Sequence, residues 1–418
     1  MKRYFYLILF FCLTACETET AYEKGDTFIK FFGTDGMEEG VDFFVDNEGI
    51  YLLGNTDNSG NSDLNPSAVL IYTDLDGNEI WSEVLKLGNE DGKEITDKAV
   101  GITKLNNGEV VVLINRTEDG IEKGILINVD LNAPSASNYV EIIPTVEVVN
   151  KVNFNDIQST SDNGFIIIGE VRNFENPDSN INDSDWDMIY IKYDQSLNKT
   201  LERIRGFGNN SDDFGNSVVE GPNQNYYLFG SVTVEKENPD TGTEFISDVR
   251  TVRVNSLLDI VWDKKSSSSL NEYGSKIVNY TNVRYVLGEQ KVSEQNTNLI
   301  FSELNENGDP LFVRDFGHAD INRAGDMVIT PDGCFITGAA YENNNYNIVI
   351  WKVSHEGDKL WSKSFGFEGE DFGSKIFVQS DGSILVIGTA NFGSLSKFCL
   401  IKTDKSGNLS IISEEKEM

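Results

Sequence analysis

This 418-residue chain is poor in the side chains from which most protein chemistry is built. It has two histidines, four cysteines, five methionines and eight prolines. The histidines, His318 and His355, match no zinc-ligand spacing, and each sits beside a turn glycine, which places both on the surface. Cys12 and Cys16 belong to the first sixteen residues, so only Cys334 and Cys399 remain for the body, too few for a disulfide-built scaffold. Both lie in apolar, strand-like runs that suit buried free thiols; a bond between them stays open, because it depends on spatial adjacency. Positive charge is scarce as well. The chain carries 34 Lys and Arg against 68 Asp and Glu, a formal net charge of −34 spread along its length. Such a field repels nucleic acid and anionic lipid, and excludes a nucleic-acid partner. After Cys16 no run is long and apolar enough to span a bilayer, and no stretch carries a convincing helical stripe.

What is present begins at the N-terminus. Lys2 and Arg3 precede an apolar stretch from Tyr4 to Leu13, followed by Leu13, Thr14, Ala15 and Cys16. This layout resembles the lipobox of bacterial lipoprotein signals. The resemblance implies removal of residues 1–15, lipidation of Cys16, and a mature protein that hangs from a membrane rather than crossing it. Residues 16–25 read as a solvated tether. Glu17 and Glu19 resemble the acidic residues that follow the cysteine in exported lipoproteins of the Bacteroidota. The expected location is therefore the bacterial outer membrane, facing the periplasm or the cell surface.

From residue 26 to 418 the sequence reads as one domain made of repeats. A short apolar strand closing on glycine recurs at Gly54, Gly169, Gly230, Gly288, Gly338 and Gly388. Asn115 fills that place in a divergent second copy, and the spacings run from 50 to 61 residues. Runs such as Ile50–Gly54, Phe165–Gly169 and Ile384–Gly388 are too short for helices and rich in β-branched and aromatic residues. Asp-Gly, Asn-Gly and Glu-Gly pairs supply the hairpin turns. Seven units of about fifty residues, each worth four strands, predict an all-β, seven-bladed β-propeller. Aromatic residues mark the fourth strands at Trp81, Trp262, Phe312 and Trp361. The last copy lacks that strand, while the N-terminus has Phe28 five residues before Gly33, as Phe312 stands before Gly317. Residues 26–32 are thus expected to complete the seventh blade by pairing near Phe398–Lys402, which closes the ring and removes an exposed edge.

The units resemble secreted bacterial propeller repeats of the delta-60 and PQQ-like type, best over residues 317–407. The resemblance implies the fold and leaves the activity open, since such propellers bind ligands, scaffold other proteins and occasionally catalyse. The cofactor and metal residues of PQQ-like dehydrogenases cannot be placed here, so no cofactor, metal or catalytic residue is assigned. Asp212, Asp213 and the acidic run Glu368–Asp371 read as solvated loops. The ion-loop-like segments Asp74–Glu79, Asn305–Asp309 and Asp404–Asn408 lack EF-hand ligand spacing and read as turns after third strands. Asp187 and Asn347 occupy the polar position before a third strand. Long loops between second and third strands, at residues 55–67, 172–187 and 233–248, are candidate recognition surfaces. The reading that results is a membrane-anchored, non-enzymatic binding or scaffolding module of an outer-membrane protein complex. The alternative is an extracellular glycan-binding or glycan-degrading propeller with carboxylates in its central funnel.

Overall fold

A computed structural model describes residues 27–33, 36–57, 66–85, 87, 95–131, 139–144, 149–173, 185–206, 211–238 and 242–410. Cys16 and the leader lie outside the described residues, as do most of the segments 55–67 and 172–187. The described chain forms seven antiparallel four-stranded sheets. Their inner strands are Glu38–Val45, Ile95–Lys104, Val149–Ser159, Asp213–Glu220, Asn271–Tyr280, Asn322–Thr330 and Phe372–Val378. Each inner strand touches those of the blades before and after it, and the seventh touches the first, so the ring is closed. This is the seven-bladed propeller that the repeats predict.

Closure follows the expected register. Phe28–Phe32 pairs antiparallel with Leu395–Thr403, Phe28 opposite Lys402 and Phe32 opposite Phe398. Phe28 therefore holds the place that Trp361, opposite Lys352, holds in blade 6. The same strand is gripped from the other side by blade 1, where Lys30 Nζ donates to Asn78 Oδ1 at 3.1 Å.

Two sequence signals acquire a physical cause. The glycine at the end of each second strand faces an irregularity in the inner strand: Gly230 pairs with Gly215, and the inner strand then skips Asn216. A Cβ on Gly230 would lie 1.8 Å from the Phe214 carbonyl oxygen, so this bulged backbone leaves no room for a side chain at Gly230. The second signal is the turn glycine after the third strand. Gly308, at φ +80°, lies against the Trp262 ring of the preceding blade, 2.6 Å from where its Cβ would be. Aromatic outer strand and turn glycine thus form one joint between blades. Where the preceding blade has Leu201 in place of the aromatic, the next blade's turn holds the buried Leu258, at φ +62°, and the two pack together.

The second copy needs a correction. Ile114, not Asn115, stands opposite Ala99 at the bulge, where the other copies have glycine. Asn115 is one residue further on and matches Asn55. The side-chain oxygens of both accept an amide from the next blade's inner strand, Phe154 N at 3.0 Å and Ala99 N at 2.7 Å. Ser231, Glu289 and Thr389 do the same for Gly274, Ala324 and Gly40. In five of the seven blades the residue after the notch is therefore a latch to the next blade.

The acidic residues ahead of the inner strands also depart from expectation. Asp213 and Asp371 are buried rather than solvated. Asp213 pairs with the buried Arg250. Asp371 accepts the amides of Phe367 and Asn391, at 2.7 and 2.8 Å, and burial lifts its carboxyl to about 6. Together with Glu38, Asp97, Glu272 and Asn322 they mark the buried polar start of six inner strands, where they fix the crossing from one blade to the next.

Candidate active site in the central funnel

The inner-strand bulges shape the axis of the ring. Each turns an additional residue toward the centre, namely Val41, Val100, Asn155, Asn216, Ser275, Gly325 and Ser374. All seven line one central cavity of about 550 Å³. The ends of the second strands contribute Glu170, Ser231 and Glu289 to the same cavity, and the inner strands of blades 4 and 5 add Phe214 and Tyr273.

The residue after each bulge builds a belt around the axis: Asp42, Gly101, Asp156, Ser217, Lys276, Asp326 and Lys375, one from each blade. Lys375 Nζ lies 3.4 Å from Asp42 and 4.0 Å from Asp326. Lys276 Nζ lies 3.9 Å from Asp326 and 3.1 Å from Asp156. Ser217 Oγ donates to Asp156 at 2.8 Å. Each aspartate also accepts an amide from the following blade, those of Ile102, Val218 and Ile376. Burial raises the Asp42 pKa, opposed by Lys375 and the two amides it accepts. Burial works against the charge of Lys375, but Asp326, Asp42 and Asp156 outweigh it and hold the lysine protonated. The charged members of the belt, three aspartates and two lysines, thus pair with one another and tie the blades together.

Two carboxyls of the cavity stand outside this network. Glu170 is 6% exposed, and burial lifts its carboxyl to about 7 against the pull of Asn153 and Asn155. Those two amides donate to its oxygens at 2.6 and 2.7 Å and fix its orientation. Glu289 is likewise raised by burial, with the Ala324 amide and Arg323 opposing. Glu170, a carboxyl that can hold a proton near neutral pH inside a concave site, can give and take protons there. Beside this cavity lies a second, of about 490 Å³, between blades 1, 6 and 7. It includes Glu39, Asp57, Glu370, Asp371, Tyr346 and Arg323, whose guanidinium lies 4.0 Å above the Tyr346 ring.

None of the residues singled out in the sequence lines the central cavity. His318 is half-buried where blade 5 passes into blade 6, with Ser362 Oγ 2.7 Å from Nδ1 and Glu342 Oε1 2.6 Å from Nε2. His355 packs against Tyr280 and Tyr285 and meets the Thr330 carbonyl at 2.9 Å. Neither is the free surface group expected of it. Asp187 and Asn347 abut Gly206 and Gly366, the glycines that end their outer strands. The three ion-loop-like segments are turns, in which Asp74, Asn305 and Asp404 accept backbone amides. Residues 233–238 and 242–248 are not the loop expected of them but the paired continuation of two long strands, Tyr226–Asn238 and Gly242–Val254. Cys334 and Cys399 are free and buried. The signal that points to Glu170 and Glu289 is positional: both directly follow the notch glycine.

No family model and no curated protein matches the sequence. Similarity is found among solved structures. A polysaccharide lyase of family PL25, an ulvan lyase, superposes with a TM-score of 0.58 at 11% identity, over 90% of this chain and 96% of that one. The same kind of lyase bound to -[GlcA(1-4)Rha3S]- gives 0.56 at 11% identity, with the same coverage. The periplasmic gluconolactonase PpgL of Pseudomonas aeruginosa gives 0.48 at 11% identity, over 81% and 88%. What these structures share with this chain is the fold. The two ulvan lyase structures nevertheless correct the expectation of a non-enzymatic scaffolding module. That expectation took a whole-length repeat ring without a recognisable motif to speak against catalysis, whereas the ulvan lyases match the ring over nearly its full length and are enzymes.

Proposed function

We propose that this protein is an extracellular glycan-degrading enzyme whose active site is the central cavity. The observation that carries the reading is Glu170, a buried carboxyl on the lining of the central cavity, held at about 7 by its surroundings and fixed in place by two asparagines. In hydrolysis Glu170 gives its proton to the leaving glycosidic oxygen as the bond to the anomeric carbon breaks. A water adds to that carbon, and Glu289 takes the proton the water loses; one water is consumed and the two carboxyls exchange protonation states. Tyr273 and Phe214 offer ring faces against which a sugar can stack. The full-length likeness to polysaccharide lyases supports a glycan as the substrate class.

A panel of polysaccharides, scored for new reducing ends and separately for the ultraviolet absorbance of an unsaturated elimination product, tests this. Glu170→Gln is expected to lower kcat by about 100-fold or more with little change in KM. Turnover that survives both Glu170→Gln and Glu289→Gln removes the site from consideration.

The finer placement is part of the proposal. Leu13, Thr14, Ala15 and Cys16 support a lipid on Cys16 and an outer-membrane location, on either face. From Cys16 to Phe28 the tether reaches at most about 40 Å, which keeps the propeller close to the bilayer. Labelling with a radioactive fatty acid that persists in Cys16→Ser rejects this anchor.

A further inference from the structure

We infer that the central funnel accepts a neutral or amino-bearing glycan and rejects a polyuronate or sulfated chain; the inference rests on the glycan reading of the same cavity. Five carboxyl side chains line it, Asp42, Asp156, Glu170, Glu289 and Asp326, against two cations, Lys276 and Lys375. Both lysines are engaged. Asp326 lies within 4.0 Å of each, Asp156 takes the other side of Lys276, and Asp42 the other side of Lys375.

The side-chain amide donors are engaged too. Asn155 Nδ2 donates to Glu170 and to the Gly215 carbonyl, and Asn216 Nδ2 to the Gly274 carbonyl. A uronate or sulfate entering the funnel would have to displace one of these partners, and would then stand among carboxyl groups in a site of reduced dielectric. The neighbouring cavity repeats the bias, with Glu39, Asp57, Glu370 and Asp371 around Arg323, whose guanidinium is seated on Tyr346. The overall charge of −34 adds long-range repulsion of a polyanion. Hydroxyl-rich neutral sugars avoid these costs, and an ammonium group on a sugar gains from them. The same arrangement disfavours elimination next to a uronate, because no lining cation is free to neutralise the sugar carboxylate.

The test is calorimetric titration of the full chain carrying Glu170→Gln, which keeps the ligand intact. The probes are oligosaccharides of equal length built from neutral hexose, from 2-amino-2-deoxyglucose and from uronic acid, each at low and high salt. Neutral binding independent of salt, amino-sugar binding that weakens with salt, and no uronate binding at low salt are expected. Uronate binding at low salt that salt abolishes overturns the inference and leaves the glycan site standing. Failure of all three probes defeats the glycan reading and this inference with it. Adding Asp326→Asn removes the carboxylate shared by the two lysines and should raise uronate affinity about tenfold or more, the effect of a newly available charged hydrogen bond. Asp156→Asn, which removes the nearer of the two carboxylates on Lys276 and leaves Asp326 at 3.9 Å, is a second route if the first variant folds poorly. Unchanged uronate affinity in a folded variant also counts against the inference.

Discussion

Glu170 shows how one buried side chain can link stability to chemistry. Its carboxyl titrates at about 7 in the folded protein against 4.5 when solvated, so the native state holds the proton more tightly than the unfolded chain. Its contribution to stability is therefore full below about 4.5 and lost as pH rises through about 7, a change of roughly 3 kcal/mol. Glu170→Gln keeps the shape and removes the titration. Denaturation curves of the two proteins between pH 4 and 8 are expected to diverge, with the variant gaining relative stability as pH rises; parallel curves would show that this carboxyl is not perturbed. The same proton sets the expected activity profile, which falls above about pH 7 as the donor ionises. Nothing in the sequence marks this glutamate by type among so many acidic residues. Its position after Gly169 was legible, but its depth was not, since burial is decided by the neighbouring blade. The misplacement of Asn115 has the same origin: without glycine at the notch, the sequence offers no cue to separate Ile114 from the latch beside it.

At the scale of the element, the outer strand Phe28–Phe32 is the piece most sensitive to deletion. It pairs with Leu395–Thr403 on one edge, and Phe28 packs against Gly77 of blade 1. Removing residues 26–32 should strip the last blade of its protective edge and loosen the joint to blade 1. Hydrogen exchange along Leu395–Thr403 is expected to rise sharply, whereas shortening residues 17–24 should leave it unchanged. Equal protection in both deletions contradicts this closure. The strand was readable from Phe28 and Gly33 because blades 5 and 6 carry the same aromatic-to-glycine interval. The outer parts of the strands Tyr226–Asn238 and Gly242–Val254 were not readable. Their Glu-, Asn- and Thr-rich residues resemble a loop in composition, and only pairing of one strand with the other makes them regular.

For the whole molecule, the repeat count, strand number and closure were all present in the sequence, because most blades repeat one local solution: a bulge facing a glycine, and an aromatic residue facing a turn glycine. The funnel was not. Asp42, Asp156, Lys276, Asp326 and Lys375 lie up to several hundred residues apart in the chain and meet only because seven bulges fall at the same height. A motif search along the chain has nothing to find where a site takes one residue from each turn of a ring. The arrangement by which the first strand completes the last blade also sets a timetable. The N-terminal strand is the first to leave the ribosome and its partner among the last, so each must wait unpaired while the remaining blades form. A chain cut short anywhere before Thr403 cannot lock, and presents an open sheet edge that quality-control proteases can recognise. The clasp thereby acts as a checkpoint, admitting to the stable state only molecules whose chain extends through the last blade.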